Sequence, residues 1–147
     1  MLNQVLLGSA LVLLTSLIHA GGMLIAIRVL RTIHPERLNL ESHLLGAILT
    51  AGVVLMMFSV GLLESLVWAY AYIAVGAFSE LEQAFYFSMV VFTTLGFGDV
   101  TLGETWRVLS TFEAANGIIM FGWTTALIFA FVQRLISYMK RAGKPGS

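Results

Sequence analysis

The sequence predicts an all-α membrane protein: three helices that cross the bilayer and one short re-entrant helix followed by a loop. Three observations predict it. The 147 residues are 59% hydrophobic and only 11% charged, with a mean hydropathy of +0.91. A soluble domain of this length carries about a quarter charged residues, so lipid must be the main solvent of this chain. Three apolar stretches reach the roughly 20 residues that a spanning helix needs. A fourth, Phe85 to Phe92, does not. At about 1.5 Å per residue it covers less than half of the hydrocarbon thickness, so it must dip in and return.

The first span runs from about Gln4 to Val29 and holds no formal charge before Arg28. Residues 1–20 could pass for a secretory signal ending at Ile18-His19-Ala20, but its first region lacks positive charge. Cleavage would also leave Gly21 to Leu30, too short to cross again, so the span is expected to be retained. The second span starts near His43, is uncharged as far as Glu64 and stays apolar through Val75. The third runs from about Trp106 to Phe131, with Arg107 at its start and Glu113 as the one charge further in.

Charge orients the spans. Arg28, Arg31 and Arg37 follow the first, and Arg134, Lys140, Arg141 and Lys144 follow the third; Arg107 alone lies at the other side. By the positive-inside rule the N-terminus is outside, and the first loop and C-terminus are cytoplasmic. Glu80, Glu82, Asp99 and Glu104 then fall outside, around the re-entrant segment. Trp68, Tyr70, Tyr72 and Trp106 cluster where an outer aromatic belt is expected. The expected location is a cell membrane, the inner one in a bacterium. The division into parts is 1–43 (first helix and cytoplasmic loop around His34 and Pro35), 44–134 (membrane module) and 135–147 (short basic tail, disordered from Arg141). At this length no appended soluble ligand-binding domain is expected.

Ser79-Glu80-Leu81-Glu82 matches a capping box, so a short helix is predicted from near Glu80 to near Thr93. Entering from outside, it points the negative end of its dipole at the membrane centre, a favourable place for a cation. Thr93-Thr94-Leu95-Gly96-Phe97-Gly98-Asp99 follows directly. Glycines at 96 and 98 permit left-handed backbone barred to other residues. Alternating left- and right-handed residues turn successive carbonyls to one side. Repeated in four chains, they build stacked oxygen rings that replace a cation's hydration shell.

Residues Thr94 to Asp99 resemble the Thr-Val-Gly-Tyr-Gly-Asp signature of tetrameric pore-loop potassium channels, and Phe85-Tyr86-Phe87-Ser88 is similar to the aromatic start of their pore helix. The resemblance covers about Leu44 to Arg134. The whole chain looks like small bacterial ion-channel-family proteins with an extra N-terminal helix. It implies that the carbonyls of Thr94, Leu95, Gly96 and Phe97 line potassium sites, with the Thr94 hydroxyl as the innermost ring. Gly98 ends the filter, Asp99 sits at the mouth, and Tyr86 and Phe87 support the filter from behind. Leu95 and Phe97 depart from the usual Val and Tyr, although Phe also occurs in potassium channels. Four residues before Thr94, where some relatives carry a Glu that clamps the mouth aspartate, this chain has Val90.

Gly117, 18 residues after Asp99, stands near the hinge glycine of such relatives, and Gly122 follows. Both fit either a gating bend or close helix packing. Glu64 and Glu113 are the acids inside the spans, where carboxylates are costly and usually functional. Each fits either a hydrogen bond behind the filter, doing what Val90 cannot, or an interfacial acid reaching headgroups. His19 is expected to pack or to bond between helices. No periodic Arg or Lys series suggests a voltage sensor.

The expected function is passive potassium conduction by a homotetramer in lipid, with potassium the permeant ion and no cofactor, nucleic acid or small-molecule substrate. A non-selective cation pore is the nearest alternative. A non-conducting membrane subunit that regulates another transporter is the alternative of a different class. Enzyme chemistry is not expected: there are no cysteines, no metal-ligand spacing and no nucleophile elbow.

Overall fold

Residues 1–32 and 43–142 are described in a computed structural model, and the regular structure among them is entirely helical. The helices are α1 (Leu2–Thr32), α2 (His43–Ala74), α3 (Leu81–Phe92) and α4 (Arg107–Ala142). The expected loop at His34, Pro35 and Arg37 and the tail from 143 onward lie outside the described residues. α1, α2 and α4 are long and apolar enough to cross a membrane. The 12 residues of α3 are not, since they rise only about 18 Å. α4 runs on through Ala142, so residues 135–142 of the expected tail continue the helix.

Helix directions follow from which ends meet. Gln4, at the start of α1, accepts a hydrogen bond from the backbone N–H of Val108 at the start of α4 (3.0 Å). Further along, Asn116 Nδ2 donates to Thr15 Oγ1 (2.9 Å). α1 and α4 therefore run parallel. α2 runs against both, because Glu64 meets His19 while Tyr72, later on α2, meets Glu113, earlier on α4. Two apolar clusters hold the bundle. One joins Leu11, Trp68, Tyr72, Phe87 and Leu109 near the start of α4. The other joins Ala26, Val53, Met57, Leu127, Phe131 and Leu135 near the opposite end. Between them lies a fully buried polar layer of Thr15, His19, Glu64, Ser65, Ser88, Glu113 and Asn116. Large apolar side chains such as Leu13, Leu17, Leu55, Ile118 and Phe129 face outward, as a lipid-solvated bundle requires.

Two sequence expectations need correction here. The N-cap of α3 is Glu80, with extended φ −110° and ψ 133°, and no side chain caps the helix. The Glu80 carbonyl accepts the first helical bond from Ala84 N–H (3.0 Å). The helix begins one residue too late for the Ser79–Glu82 capping box, because Glu82 lands at the second rather than the third helical position. The aromatic belt also fails in part. Trp68 and Tyr72 are fully buried, turned towards α3 and α4, while Tyr70 is exposed. One turn apart on a helix, the first two share an inward face that Tyr70 does not.

α2 ends in a tight reversal. Gly76 takes φ +72°, the Ala77 N–H donates to the Tyr72 carbonyl and the Gly76 N–H to that of Ile73 (both 2.9 Å). This is a Schellman closure with glycine at the left-handed position, and it turns the chain straight into α3.

Candidate functional site

The loop after α3 opens with the same closure. Leu95 N–H donates to the Val90 carbonyl and Thr94 N–H to that of Val91 (both 2.9 Å). Thr94 therefore occupies the left-handed position, with φ +59°. A β-branched residue rarely adopts this conformation, and holding it costs about 1–3 kcal/mol. Gly96 (φ +60°) and Gly98 (φ +80°) continue the pattern. Left-handed backbone thus recurs at every second residue from 94 to 98. Thr93 to Asp99 are all exposed within the single chain, the Phe97 side chain by 64%.

Asp99, at the far end of this loop, is held by Tyr86, whose hydroxyl donates to Asp99 Oδ2 (2.7 Å). The hydrogen bond to Asp99 is the main reason the Tyr86 phenol is held above the ordinary tyrosine value. Glu64 and Glu113 bond to other partners. At the position one turn before Val90 on α3, Tyr86 reaches the aspartate, because residues four apart stack along one face. Val90 contributes through its backbone, whose carbonyl also receives the Gly96 N–H (3.3 Å).

Glu113 lies behind α3, with no exposed surface. Its Oε2 accepts from the Tyr72 hydroxyl and its Oε1 is hydrogen-bonded to the Ser88 hydroxyl, each at 2.5 Å. Ser88 also reaches the Ser65 carbonyl (2.7 Å). One carboxylate thereby ties α2, α3 and α4 together at the depth of the polar layer. Phe87 packs edge-on against the Tyr72 ring (5.2 Å between centroids) in the apolar cluster above. Gly117 lets α4 meet the end of α3: a Cβ there would lie 1.9 Å from the Phe92 carbonyl oxygen. A Cβ at Gly122 would meet nothing within 4 Å. α4 is unbroken at both positions.

Glu64 does not reach a headgroup, since it is fully buried. Its Oε1 is bonded to His19 Nδ1 (2.9 Å), and His19 Nε2 lies 3.3 Å from Thr124 Oγ1. His19 is the interhelical bonded histidine the sequence led one to expect. Sequence reasoning gave no interhelical bonding role to Gln4, Thr15, Tyr72, Ser88 or Asn116. Four of them did carry a signal, being hydrogen-bonding side chains inside apolar spans or the half-length helix, where such groups seek partners on neighbouring helices.

A membrane bundle with a half-length helix leading into a loop of alternating handedness defines a pore-loop membrane protein. A family model described as an ion channel matches residues 44–134, more than half of the chain. The chain belongs to this ion channel family, and it is a multi-pass membrane protein. No curated protein and no solved structure matches it.

Proposed function

We propose that the chain is one subunit of a homotetrameric, potassium-selective channel of the cell membrane, with its N-terminus outside and its C-terminus cytoplasmic. The observation that carries this reading is the left-handed backbone at Thr94, Gly96 and Gly98, directly after a helix too short to span. Such alternation turns the intervening carbonyls to one side, and non-helical backbone at membrane depth is tolerated where it lines a cavity or is buried in protein. A single strand cannot surround an ion, so four copies supply the ring.

In this reading residues 44–134 form the pore module. The carbonyls of Thr94, Leu95, Gly96 and Phe97, with the Thr94 hydroxyl, coordinate potassium, and Gly98 completes the filter. Tyr86 fixes the mouth through Asp99. Glu113 and Phe87 hold α3 from behind, and Glu64 braces the same layer through α1. Bending of α4 at Gly122, where nothing crowds the helix, opens the cytoplasmic end, while Gly117 keeps α4 docked on α3. Glu80 and Glu82 raise the local cation concentration outside; Glu104 adds little, because exposed Arg107 sits 3.3 Å from it and salt screens such fields beyond about 10 Å.

The test is cation flux into liposomes carrying the purified protein, with potassium and then sodium as the permeant ion. Rapid flux with potassium alone, abolished by Gly96→Asp, is the expected result. Equal flux with both ions would replace selectivity with a non-selective pore through Leu95 and Phe97. No flux from intact tetramers under varied pH, lipid and membrane tension would favour a non-conducting subunit.

A further inference from the structure

α4 has one packed face and one open face. Glu113, Met120, Leu127 and Phe131 are buried against the other helices. At the helical period, Ala115, Ile118, Gly122, Thr125, Phe129 and Gln133 share the opposite side, and all six are exposed. Two ring contacts bracket this open face. On one flank Phe121 packs against Phe92 at the end of α3 (5.8 Å between centroids). On the other, Trp123 packs against His19 of α1 (5.9 Å). The open face therefore looks out between α3, which carries the loop, and α1.

Its composition differs from that of a lipid-facing surface. The outward face of α1 is bulky and aliphatic, with Leu6, Leu13, Leu17 and Leu24 each 61–64% exposed. The open face of α4 instead presents small or polar side chains at Ala115, Gly122, Thr125 and Gln133, which suit a water-filled path. Ile118 and Phe129 are its large apolar members. Ile118 adjoins Gly117, where α4 is docked against the Phe92 carbonyl, so it belongs to the fixed upper part. Phe129 lies 12 residues beyond Gly117, about 18 Å further along the helix. It also lies past Gly122, where nothing crowds α4.

We infer that Phe129, repeated in four copies, forms an apolar constriction that closes the pore below the loop by excluding water, and that bending at Gly122 withdraws it. The inference rests on the tetrameric channel reading and names the side chain at which that pore closes. A ring of phenyl groups offers no oxygen to replace an ion's hydration shell, so it blocks ions without charge or ligand, as apolar constrictions do when they lose their water. Phe129 is 65% exposed, so its replacement leaves the packing of the bundle in place.

The experiment has two readouts on the full chain. The first asks where the face points. The chain has no cysteine, so Phe129→Cys and Leu24→Cys each introduce a single thiol. His19 and Thr124 meet, and Leu24 and Phe129 each lie five residues further along parallel helices, so the two thiols share one depth. In lipid nanodiscs, a membrane-impermeant quaternary-ammonium thiosulfonate is expected to modify Phe129→Cys and to spare Leu24→Cys, because apolar surroundings disfavour the reactive thiolate. The second readout is potassium flux into liposomes. Phe129→Ser, which wets the constriction, is expected to raise the initial rate several-fold, whereas Phe129→Leu, which keeps it apolar, stays near the unmutated rate. A Phe129→Cys thiol no more reactive than that of Leu24→Cys would overturn the inference. Flux that is present but equal in the unmutated chain and Phe129→Ser would strike the constriction alone. Flux absent from both, with the Phe129→Cys thiol reactive, would strike the conduction reading and the constriction with it.

Discussion

Glu113 shows how a single side chain sets a local structure in a membrane. In lipid, apolar burial gives little drive for helix association, so packing and interhelical hydrogen bonds carry it. Glu113 is hydrogen-bonded to hydroxyls on two different helices. Glu113→Leu keeps the approximate size but removes both oxygens and leaves the Tyr72 hydroxyl without its partner. A buried donor left unmet costs about 1–3 kcal/mol. The thermal midpoint of the protein in detergent is therefore expected to fall clearly for Glu113→Leu and for Tyr72→Phe, and hardly at all for the exposed Glu80→Gln. Equal midpoints for all three would remove Glu113 as a structural node. That an acid inside the third span matters was legible in the sequence, because charge at that depth is expensive. Its partners were not. Tyr72 reads as an interfacial aromatic until the rotation of α2 is known, and rotation is set by what packs on the helix.

Helices α3 and α4 meet so closely that one hydrogen atom in place of a side chain decides the distance. At Gly117 an added Cβ would stand 1.9 Å from a backbone carbonyl of α3, which has no rotamer with which to yield. At Gly122 the same atom meets open space. Gly117→Ala is thus expected to destabilise the protein by about 1–3 kcal/mol, the usual range for overpacking. Gly122→Ala is expected to be neutral or to stabilise by about 0.5–1 kcal/mol through helix propensity. Denaturation in mild detergent followed by helical circular dichroism separates the two; the same response from both would contradict the packing described. The sequence left packing and bending open at both glycines, since spacing along one helix carries no information about a second helix. The misplaced cap of α3 has a related origin. The Ser-x-x-Glu pattern is local, but the helix start is set by the sharp closure at Gly76 and the docking of Ala84 and Phe87 on their neighbours.

For the molecule as a whole, the consequential finding is that α1 is fastened to the ion channel module rather than appended to it. Gln4 reaches Val108, Thr15 meets Asn116, and His19 joins Glu64, while Gly8 and Gly22 admit Phe112 and Val60 at close range. A double-mutant cycle with Thr15→Val and Asn116→Leu is expected to give a coupling of about 0.6 kcal/mol and no more than about 1.7, the scale measured for interhelical bonds in lipid. Zero coupling by reversible unfolding would mean that the bond is not maintained in the membrane. The sequence by itself determined the three spans, the half-length helix, the glycine spacing of the loop and the depth of the two acids. Each of these is a matter of length, hydropathy and local backbone freedom, which the chain encodes residue by residue. Only the tertiary structure decided that Tyr86 holds Asp99, that Glu113 gathers Tyr72 and Ser88, that Glu64 faces His19, and that Thr94 shares the left-handed alternation. Those outcomes depend on how each helix is rotated and how deeply it sits against the others, and in lipid that is chosen by polar partners and small-residue contacts far apart in the chain.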